Sequence, residues 1–135
     1  MADSQGDFVW YELMTSDADA AQAFYEPLLG WKFASSGMSD MDYRLGSANG
    51  VEVVGLLELT QDMIGGGARP AWIGYIAVAD IDASLTRLKE QGGQLFMGPN
   101  RLEGVGRMAM VADPQGAPFY LMQPEGDASQ SFARY

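Results

Sequence analysis

The chain repeats its own boundary signals after 63 residues, and this duplication limits the possible folds more than any other feature. In each copy a strand-like run ends at an aspartate that can cap a helix, Asp17 in the first copy and Asp80 in the second. A helical stretch then stops near a glycine, Gly30 or Gly93. Few residues are identical, but the element boundaries coincide, so we interpret the two halves as copies of one structural unit.

Each copy is predicted to be a strand–helix–strand–strand–strand (βαβββ) unit. Apolar residues at helical spacing follow each aspartate, and Pro27 is expected to kink or end the first helix. The helical apolar positions are Ala21, Phe24, Tyr25 and Leu28 in the first copy and Ile81, Leu85 and Leu88 in the second. Strand-like runs follow at residues 31–34, 42–45 and 51–59, and again at residues 94–97, 106–112 and 118–123. We therefore expect a single α+β domain with modules at about residues 7–59 and 71–124.

The segment Thr60–Pro70 joins the two copies and contains three consecutive glycines, Gly65 to Gly67. It has no regular apolar pattern, so we expect a loop. A plain flexible linker explains these glycines, and so does a lid over a ligand cavity.

The sequence is strongly acidic, with 18 Asp and Glu residues against 8 Lys and Arg residues and a net charge of −10. That charge repels nucleic acid and anionic lipid surfaces, so neither is expected as a partner. The sequence lacks an apolar run of the roughly 18 residues that a transmembrane helix needs. Its N-terminus also lacks the basic start and apolar stretch of a signal peptide. We expect a cytoplasmic protein.

Histidine and cysteine do not occur in the sequence, which restricts the available chemistry. Histidine is the commonest general base near neutral pH and the commonest metal ligand. Without cysteine, disulfides and thiolate chemistry are unavailable. A metal site would have to be built from oxygen ligands, chiefly carboxylates. We therefore predict a protein that works without a cofactor.

Three short motifs and one turn mark the element boundaries. The motifs are Glu12-Leu-Met-Thr-Ser-Asp17, Phe24-Tyr25 and Leu29-Gly30-Trp31, and the turn before the last strand is Asp113-Pro114-Gln115-Gly116. Together they resemble the glyoxalase/bleomycin resistance/dioxygenase family, also called the vicinal oxygen chelate superfamily, over residues 7–124. The resemblance implies that two βαβββ modules pair and curl their mixed sheets into a cup. It leaves the activity open, because the superfamily contains lyases, isomerases, dioxygenases, thiol transferases and plain binding proteins.

In metal-dependent members of this family, His, Gln or Glu ligands line the cup, one from the first and one from the last strand of each module. Carried over onto this sequence, those positions hold Trp10, Val54, Ile73 and Tyr120. None of these residues is an ordinary ligand of a divalent cation. The resemblance therefore implies a member of the family without a transition-metal centre.

Glu12 is the candidate polar group of the cup. Strand alternation puts it on the same face as Trp10, and a carboxylate on an apolar face is costly unless it is paired. As a functional residue it would be a ligand anchor or a general base, since burial tends to raise the pKa of a carboxyl group. The alternative is a structural ion pair between Glu12 and Arg44 or Arg107.

Further candidates come from the second copy and from the nine methionines. Tyr75 is equivalent to Glu12, and Tyr75 and Tyr120 could each offer a hydroxyl to a ligand or simply pack as aromatic rings. Met122 follows on the last strand. Methionines in the loops, Met38, Met41 and Met63, favour a pliable apolar pocket over a core that happens to use methionine.

We interpret the chain as a metal-independent protein of this family that binds a small apolar or aromatic organic molecule, for sequestration, drug resistance or delivery. The expected ligand contacts are Trp10, Glu12, Val54, Ile73, Tyr75, Tyr120 and Met122. The alternative is a glyoxalase-like lyase or isomerase that uses Glu12 as general base and Tyr120 as acid. The glyoxalase reaction itself is not expected, because it needs a metal to polarise the enediolate oxygens. We also expect a homodimer, since each sheet leaves a strand edge exposed.

Overall fold

The computed structural model describes residues 5–125, which form eight strands and three helices. In chain order these are β1 (Phe8–Thr15), α1 (Ala18–Leu29), β2 (Lys32–Ser35), β3 (Tyr43–Ala48), β4 (Val51–Glu58), α2 (Gln61–Gly65), β5 (Ala71–Ala77), α3 (Ile81–Glu90), β6 (Gln94–Leu102), β7 (Gly106–Ala112) and β8 (Pro118–Pro124). We call β1 to β4 with α1 the first module and β5 to β8 with α3 the second module. By contacts, one compact unit runs from Trp10 to Ile73, and the other combines the chain up to Val9 with the chain from Gly74 onward.

The first module is a four-stranded mixed sheet with one helix packed against it. Its strand order is β2–β3–β4–β1, with β1 parallel to β4 and the other neighbours antiparallel. The helix α1 begins after Asp17, whose carboxylate accepts a hydrogen bond from the Ala20 N–H at 3.0 Å. It ends at Gly30, which has the left-handed φ of 75° that glycine tolerates best. The core under the helix contains Leu13, Ala18 and Leu56.

The second module repeats this arrangement. Its strand order is β5–β8–β7–β6, with β5 parallel to β8 and the other neighbours antiparallel. The helix α3 begins after Asp80, whose carboxylate accepts from the Ala83 N–H at 3.1 Å, and it ends at Gln91. The core under this helix contains Val78, Ile81, Leu85, Ala109, Val111 and Leu121. The expected α+β fold with two βαβββ modules is therefore confirmed.

A matching hydrogen bond ties the start of each helix to the last strand of its own module. In the first module, Glu58 Oε1 accepts from the backbone N–H of Ala18 at 2.8 Å. In the second, Gln123 Oε1 accepts from the backbone N–H of Ile81 at 2.8 Å. Each bond satisfies one of the N–H groups that a helix leaves unpaired at its first turn. The repetition of so local a contact supports the internal duplication.

Three elements differ from the sequence-based expectation. The segment 60–70 was expected to be a loop, but Thr60 accepts from the Met63 N–H at 3.2 Å and starts the short helix α2. Pro27 does not end α1, because the helix continues to Leu29 and the N–H of Gly30 bonds the Glu26 carbonyl at 2.8 Å. The strand β6 extends beyond residue 97 to Leu102, since the Gly98-Pro99 pair hides the strand pattern without ending the strand. None of the helices described between residues 5 and 125 is long and apolar enough to cross a membrane.

Candidate ligand-binding faces

Each sheet has one side covered by its helix and one side directed away from it. In the first module, Leu13 and Leu56 are register partners, and both belong to the core under α1. Successive strand residues alternate between the two sides, so Glu12 and its register partner Gly55 lie on the other side. We call the side opposite the helix the distal face of a module.

The distal face of the first module is apolar and buried around one carboxylate. Trp10, Glu12 and Met14 alternate along β1, with Trp10 7% exposed and Glu12 2% exposed. Leu57 is also buried on this face, two residues beyond Gly55 on β4. Glu12 is the one charged side chain that is buried among residues 5–125. Because burying a carboxylate is costly, a position of this kind is a candidate for function.

Tyr43 is the residue of this face that the sequence did not indicate. Its ring occupies the space that a side chain on Gly55 would fill, with the hydroxyl and Cζ nearest to that position. The Trp10 Nε1–H donates a hydrogen bond to the Tyr43 hydroxyl oxygen at 3.2 Å. Gly55 is register-paired with Glu12, so the phenol, the indole and the carboxylate all belong to one local group. The available signal was a glycine that lies diagonally opposite an aromatic residue on the next strand, since Gly55 pairs with Leu45 and Tyr43 pairs with Leu57. This signal can be used only when the register of β3 against β4 is known.

The two arginines proposed as partners of Glu12 bind other acids. Arg44 donates to Asp19 at 2.8 Å and to Asp42 at 2.9 Å, and Arg107 donates to Asp82 at 2.8 Å. The ion pair considered as the structural alternative for Glu12 is therefore not favoured by the positions of these arginines. The reason is strand alternation, because Arg44 is the register partner of Leu56 and so lies on the helix side of its sheet. The hydrogen bond from the Arg44 guanidinium lowers the pKa of the Asp42 carboxyl group.

Val54 does not share the distal face with Trp10 and Glu12. It is the register partner of Gly46, and its side chain and the Phe33 ring both crowd the space beside Gly46, on the helix side of the sheet. The pairing of β3 with β4 shifts here, so β4 holds one extra residue. Counting a fixed number of residues from the preceding turn therefore reached the wrong side of the strand, and Gly55 takes the position predicted for Val54.

The distal face of the second module carries aromatic rings and methionines. Tyr75 and Tyr120 are register partners, and their rings stack with centroids 4.1 Å apart and planes 10° apart. Met110 is paired with Tyr120, and Met108 is paired with Met122 on the same side. Ile73 is buried two residues before Tyr75 on β5, so alternation directs it to the same side of that strand. This face offers polarisable, adaptable apolar contact surface.

The positions of the expected metal ligands do not fit a transition metal. They hold an indole, an alkyl side chain and a phenol at Trp10, Ile73 and Tyr120, and the fourth is Gly55 once the bulge is included. Among residues 5–125, no group of three or more His, Cys, Asp or Glu side chains lies close enough together to hold a metal ion. The usual zinc, nickel or iron ligands are therefore missing from this set of positions.

The fold and these faces define a protein of two βαβββ modules with a buried carboxylate on one distal face. The sequence matches the family described as "Glyoxalase/Bleomycin resistance protein/Dioxygenase superfamily" over residues 7–121. The chain belongs to this superfamily.

Two groups of bacterial relatives share about a third of their residues with the chain. "Putative glyoxylase CFP32" of Mycobacterium bovis is 34% identical over 125 residues, which are 92% of this chain and 46% of that protein. "Anthracycline biosynthesis protein DnrV" of Streptomyces peucetius is 34% identical over 123 residues, which cover 82% of this chain and 44% of that protein. The chain thus spans about half the length of these relatives.

Solved structures of low sequence identity share the fold. Methylmalonyl-CoA epimerase from Mycobacterium tuberculosis superposes with a TM-score of 0.66 at 20% identity, over 96% of both chains. A Streptomyces coelicolor methylmalonyl-CoA epimerase variant in complex with 2-nitronate-propionyl-CoA gives a TM-score of 0.64 at 16% identity, over 91% of this chain and 100% of that chain. At this identity the likeness concerns the fold and not the activity.

Proposed function

We propose that the chain binds a small, flat, largely apolar organic molecule at the distal face of its first module, without a metal. The observation that carries the proposal is the group formed by Trp10, Tyr43 and Glu12. It combines a buried apolar ring, a half-buried phenol and a buried carboxylate on one face, as a site for an aromatic ligand with a few polar substituents requires.

The chemistry of the three side chains suits such a ligand. The indole and the phenol give rigid contact area, and rings of a flat ligand can stack on them. The Glu12 carboxylate can accept a hydrogen bond from a ligand hydroxyl group, and hydrogen bonds to a charged acceptor are stronger than those to a neutral one. The second module adds a separate face of methionine and tyrosine, where Met122 and the stacked Tyr75 and Tyr120 give further apolar contact.

The names of the relatives favour an aromatic polycyclic ligand over other apolar molecules. DnrV carries the description of an anthracycline biosynthesis protein, and anthracyclines contain a flat, hydroxylated ring system. Sequestration, resistance and delivery all use the same binding step, so the proposal covers these three roles.

A fluorescence titration with quinizarin, an uncharged dihydroxyanthraquinone, tests the proposal. An uncharged probe avoids nonspecific attraction to a chain of net charge −10. We expect saturable quenching, most of which disappears in Trp10→Phe. We expect Trp10→Ala to weaken binding about tenfold or more, because it removes a large contact surface equivalent to at least ~1.4 kcal/mol.

Two matched variants show whether the loss is specific. Tyr75→Phe changes one hydroxyl in the second module and should alter the affinity less than Trp10→Ala does. Tyr25 belongs to α1 and packs against the core on the helix side of the sheet, so Tyr25→Phe should leave the affinity unchanged. If folded Trp10→Ala binds quinizarin and the best compound of a wider aromatic screen as tightly as the parent protein, the distal face is not the binding site.

A second candidate function is an enzyme in which Glu12 is the general base. The burial of Glu12 favours this candidate, because a desolvated carboxylate beside a bound substrate can remove a proton from carbon. Glu12→Gln keeps the shape of the side chain and removes the charge. Under the enzyme hypothesis the variant binds but loses turnover, whereas under the binding hypothesis only the affinity changes, and modestly. Turnover of any ligand from the screen that survives in Glu12→Gln would exclude Glu12 as the base.

A further inference from the structure

Four of the nine methionines lie together on the distal face of the second module. Met97 on β6 is the register partner of Met110 on β7, and Met108 on β7 is the register partner of Met122 on β8. Met108 and Met110 alternate along β7 with residues of the core under α3, so their side chains point away from the helix. Register partners lie on the same side of a sheet, so all four thioethers share the distal face. We call Met97, Met108, Met110 and Met122 the thioether cluster.

The strand spacing puts the four side chains close enough to share one small ligand. Cβ atoms of register partners lie about 4.5–5.5 Å apart, and residues two apart on one strand lie about 7 Å apart. A methionine side chain has three rotatable bonds, so its sulfur can cover such distances. Met97 is 47% exposed, Met108 and Met110 are half-buried, and Met122 is buried. An ion in solvent can therefore reach the cluster from the edge strand β6.

The first module shows that the fold does not require methionine at these positions. The registers of the two modules are equivalent, because Glu12 pairs with Gly55 as Tyr75 pairs with Tyr120. Following the registers outward, the positions of Met97, Met108, Met110 and Met122 correspond to Ala34, Tyr43, Leu45 and Leu57. None of these four side chains contains sulfur. Packing of the sheet therefore does not explain why the second module has a thioether at every one of these positions.

We propose that the thioether cluster binds one Cu(I) ion. The thioether is a soft, uncharged ligand that suits Cu(I), whereas Zn, Ni, Fe and Mn prefer sites that contain imidazole, thiolate or carboxylate groups. Among residues 5–125, no three or more His, Cys, Asp or Glu side chains lie together to make a site of that second kind. The net charge of −10 attracts a cation to the chain even though the ligands themselves are neutral.

The surroundings of the thioether cluster favour the lower oxidation state of copper. Tyr120 is the register partner of Met110, and its ring stacks on that of Tyr75. These rings and the buried Met122 give the cluster an apolar shell on its inner side. An apolar shell favours Cu(I) over Cu(II), because burying the larger charge costs more free energy. The proposal does not depend on the aromatic ligand proposed for the first module.

Anaerobic titration with Cu(I), in competition with the coloured complex that Cu(I) forms with ferrozine, tests the proposal. We expect the untagged parent protein to remove about one Cu(I) per chain from that complex. Met108→Leu and Met110→Leu should each raise the Kd about tenfold or more, because each removes one sulfur ligand and nearly keeps the apolar volume. Met38→Leu, in an exposed loop outside the cluster, is the matched control and should leave the Kd unchanged.

NMR of the methionine methyl groups gives a second measurement, which uses the parent protein. Cu(I) should shift the four methyl signals of the thioether cluster, assigned by single substitution, and leave the signals of Met14 and Met63 in place. Zn²⁺ at the same concentration should shift none of them. Equal shifts of all methionine signals would overturn the proposal, because they would show unspecific contact with sulfur.

Two further results would also overturn the proposal. One is a parent protein that removes no Cu(I) from ferrozine. The other is Cu(I) that binds Met108→Leu and Met110→Leu as tightly as it binds the parent protein. Neither result bears on quinizarin binding, which is measured through Trp10 in the other module, so the two proposals can fail separately.

Discussion

Gly55 lets an aromatic ring from a neighbouring strand occupy the distal face of the first module. The ring of Tyr43 takes the space beside Gly55, and its hydroxyl accepts from Trp10. The equivalent register position in the second module holds Tyr120, whose own ring stacks on Tyr75. The two modules thus place a phenol ring at the same point of the sheet by different means. This difference makes the face around Glu12 chemically distinct from its counterpart.

Gly55→Ala should therefore disturb the site without replacing any of its polar side chains. A methyl group at residue 55 would collide with the Tyr43 hydroxyl and Cζ, so the ring must move and the Trp10–Tyr43 hydrogen bond should break. We expect a loss of about 1–3 kcal/mol in the free energy of unfolding, together with a shift in tryptophan emission. Urea titration followed by fluorescence measures both.

Gly65→Ala is the matched control, since a Cβ at residue 65 would meet nothing within 4 Å. It lies at the end of α2 and should be neutral or slightly stabilising. A Gly55→Ala protein as stable as Gly65→Ala, with unchanged emission, would contradict the packing of Tyr43 over Gly55.

At the scale of elements, the pattern of the sequence was sufficient for most of the fold and for half of the site. The aspartate caps and the apolar spacing correctly predicted both long helices. Strand alternation correctly placed Trp10 and Glu12 on the same face of β1. The misplacement of Val54 and the omission of Tyr43 have a common cause. Both depend on how β3 pairs with β4, and the bulge in β4 changes that register by one residue without any local sequence signal.

Each of the two long helices is also joined to its sheet by an ion pair, Asp19–Arg44 in the first module and Asp82–Arg107 in the second. In the second module, the hydrogen bond from the Arg107 guanidinium lowers the pKa of the Asp82 carboxyl group in the first turn of α3. A carboxyl group with a lowered folded-state pKa stabilises the fold above its unfolded pKa of about 3.9, and it loses that effect as the pH falls through the folded value. The contribution should thus be complete at neutral pH and disappear in acid.

We therefore expect Asp82→Asn to lose less stability than the parent protein does between about pH 5 and pH 2. Thermal unfolding at a series of pH values checks this, with the difference in melting temperature largest near neutral pH. Because the pair is exposed to solvent, the difference should be small and should shrink in high salt. Ser39→Ala, in an exposed loop, is the control because it changes no titratable group, and it should run parallel to the parent curve. Parallel curves for Asp82→Asn as well would contradict a stabilising role for the pair.

For the whole molecule, duplication supplied the scaffold, and the two copies then diverged at the positions proposed for function. The first copy keeps a buried carboxylate on its distal face and has exposed apolar side chains, Phe24 and Leu28, on the outer side of α1. The second has stacked tyrosines on its distal face and a charged outer side on α3. The duplication could be recognised from boundary signals alone. The divergent surfaces could not, because exposure and register decide which apolar residues are core and which form a surface.

The same divergence predicts how the protein responds to metal ions. Relatives that use a metal draw ligands from both modules, whereas the corresponding positions here are Trp10, Gly55, Ile73 and Tyr120. We expect elemental analysis of untagged protein to find well below one Ni, Zn, Fe or Mn per chain.

A ligand at 100 times its Kd stabilises a fold by about 2.7 kcal/mol, which raises the melting temperature by several degrees. After EDTA treatment, addition of each metal should therefore leave the melting temperature unchanged within about 1 °C, since no site of such affinity is expected. Quinizarin should raise the melting temperature of the same metal-free sample. It is the positive control, because it shows that the measurement detects a ligand that binds. A melting temperature that rises with one equivalent of metal, and quinizarin binding that requires it, would show that the metal-free description of this site is wrong.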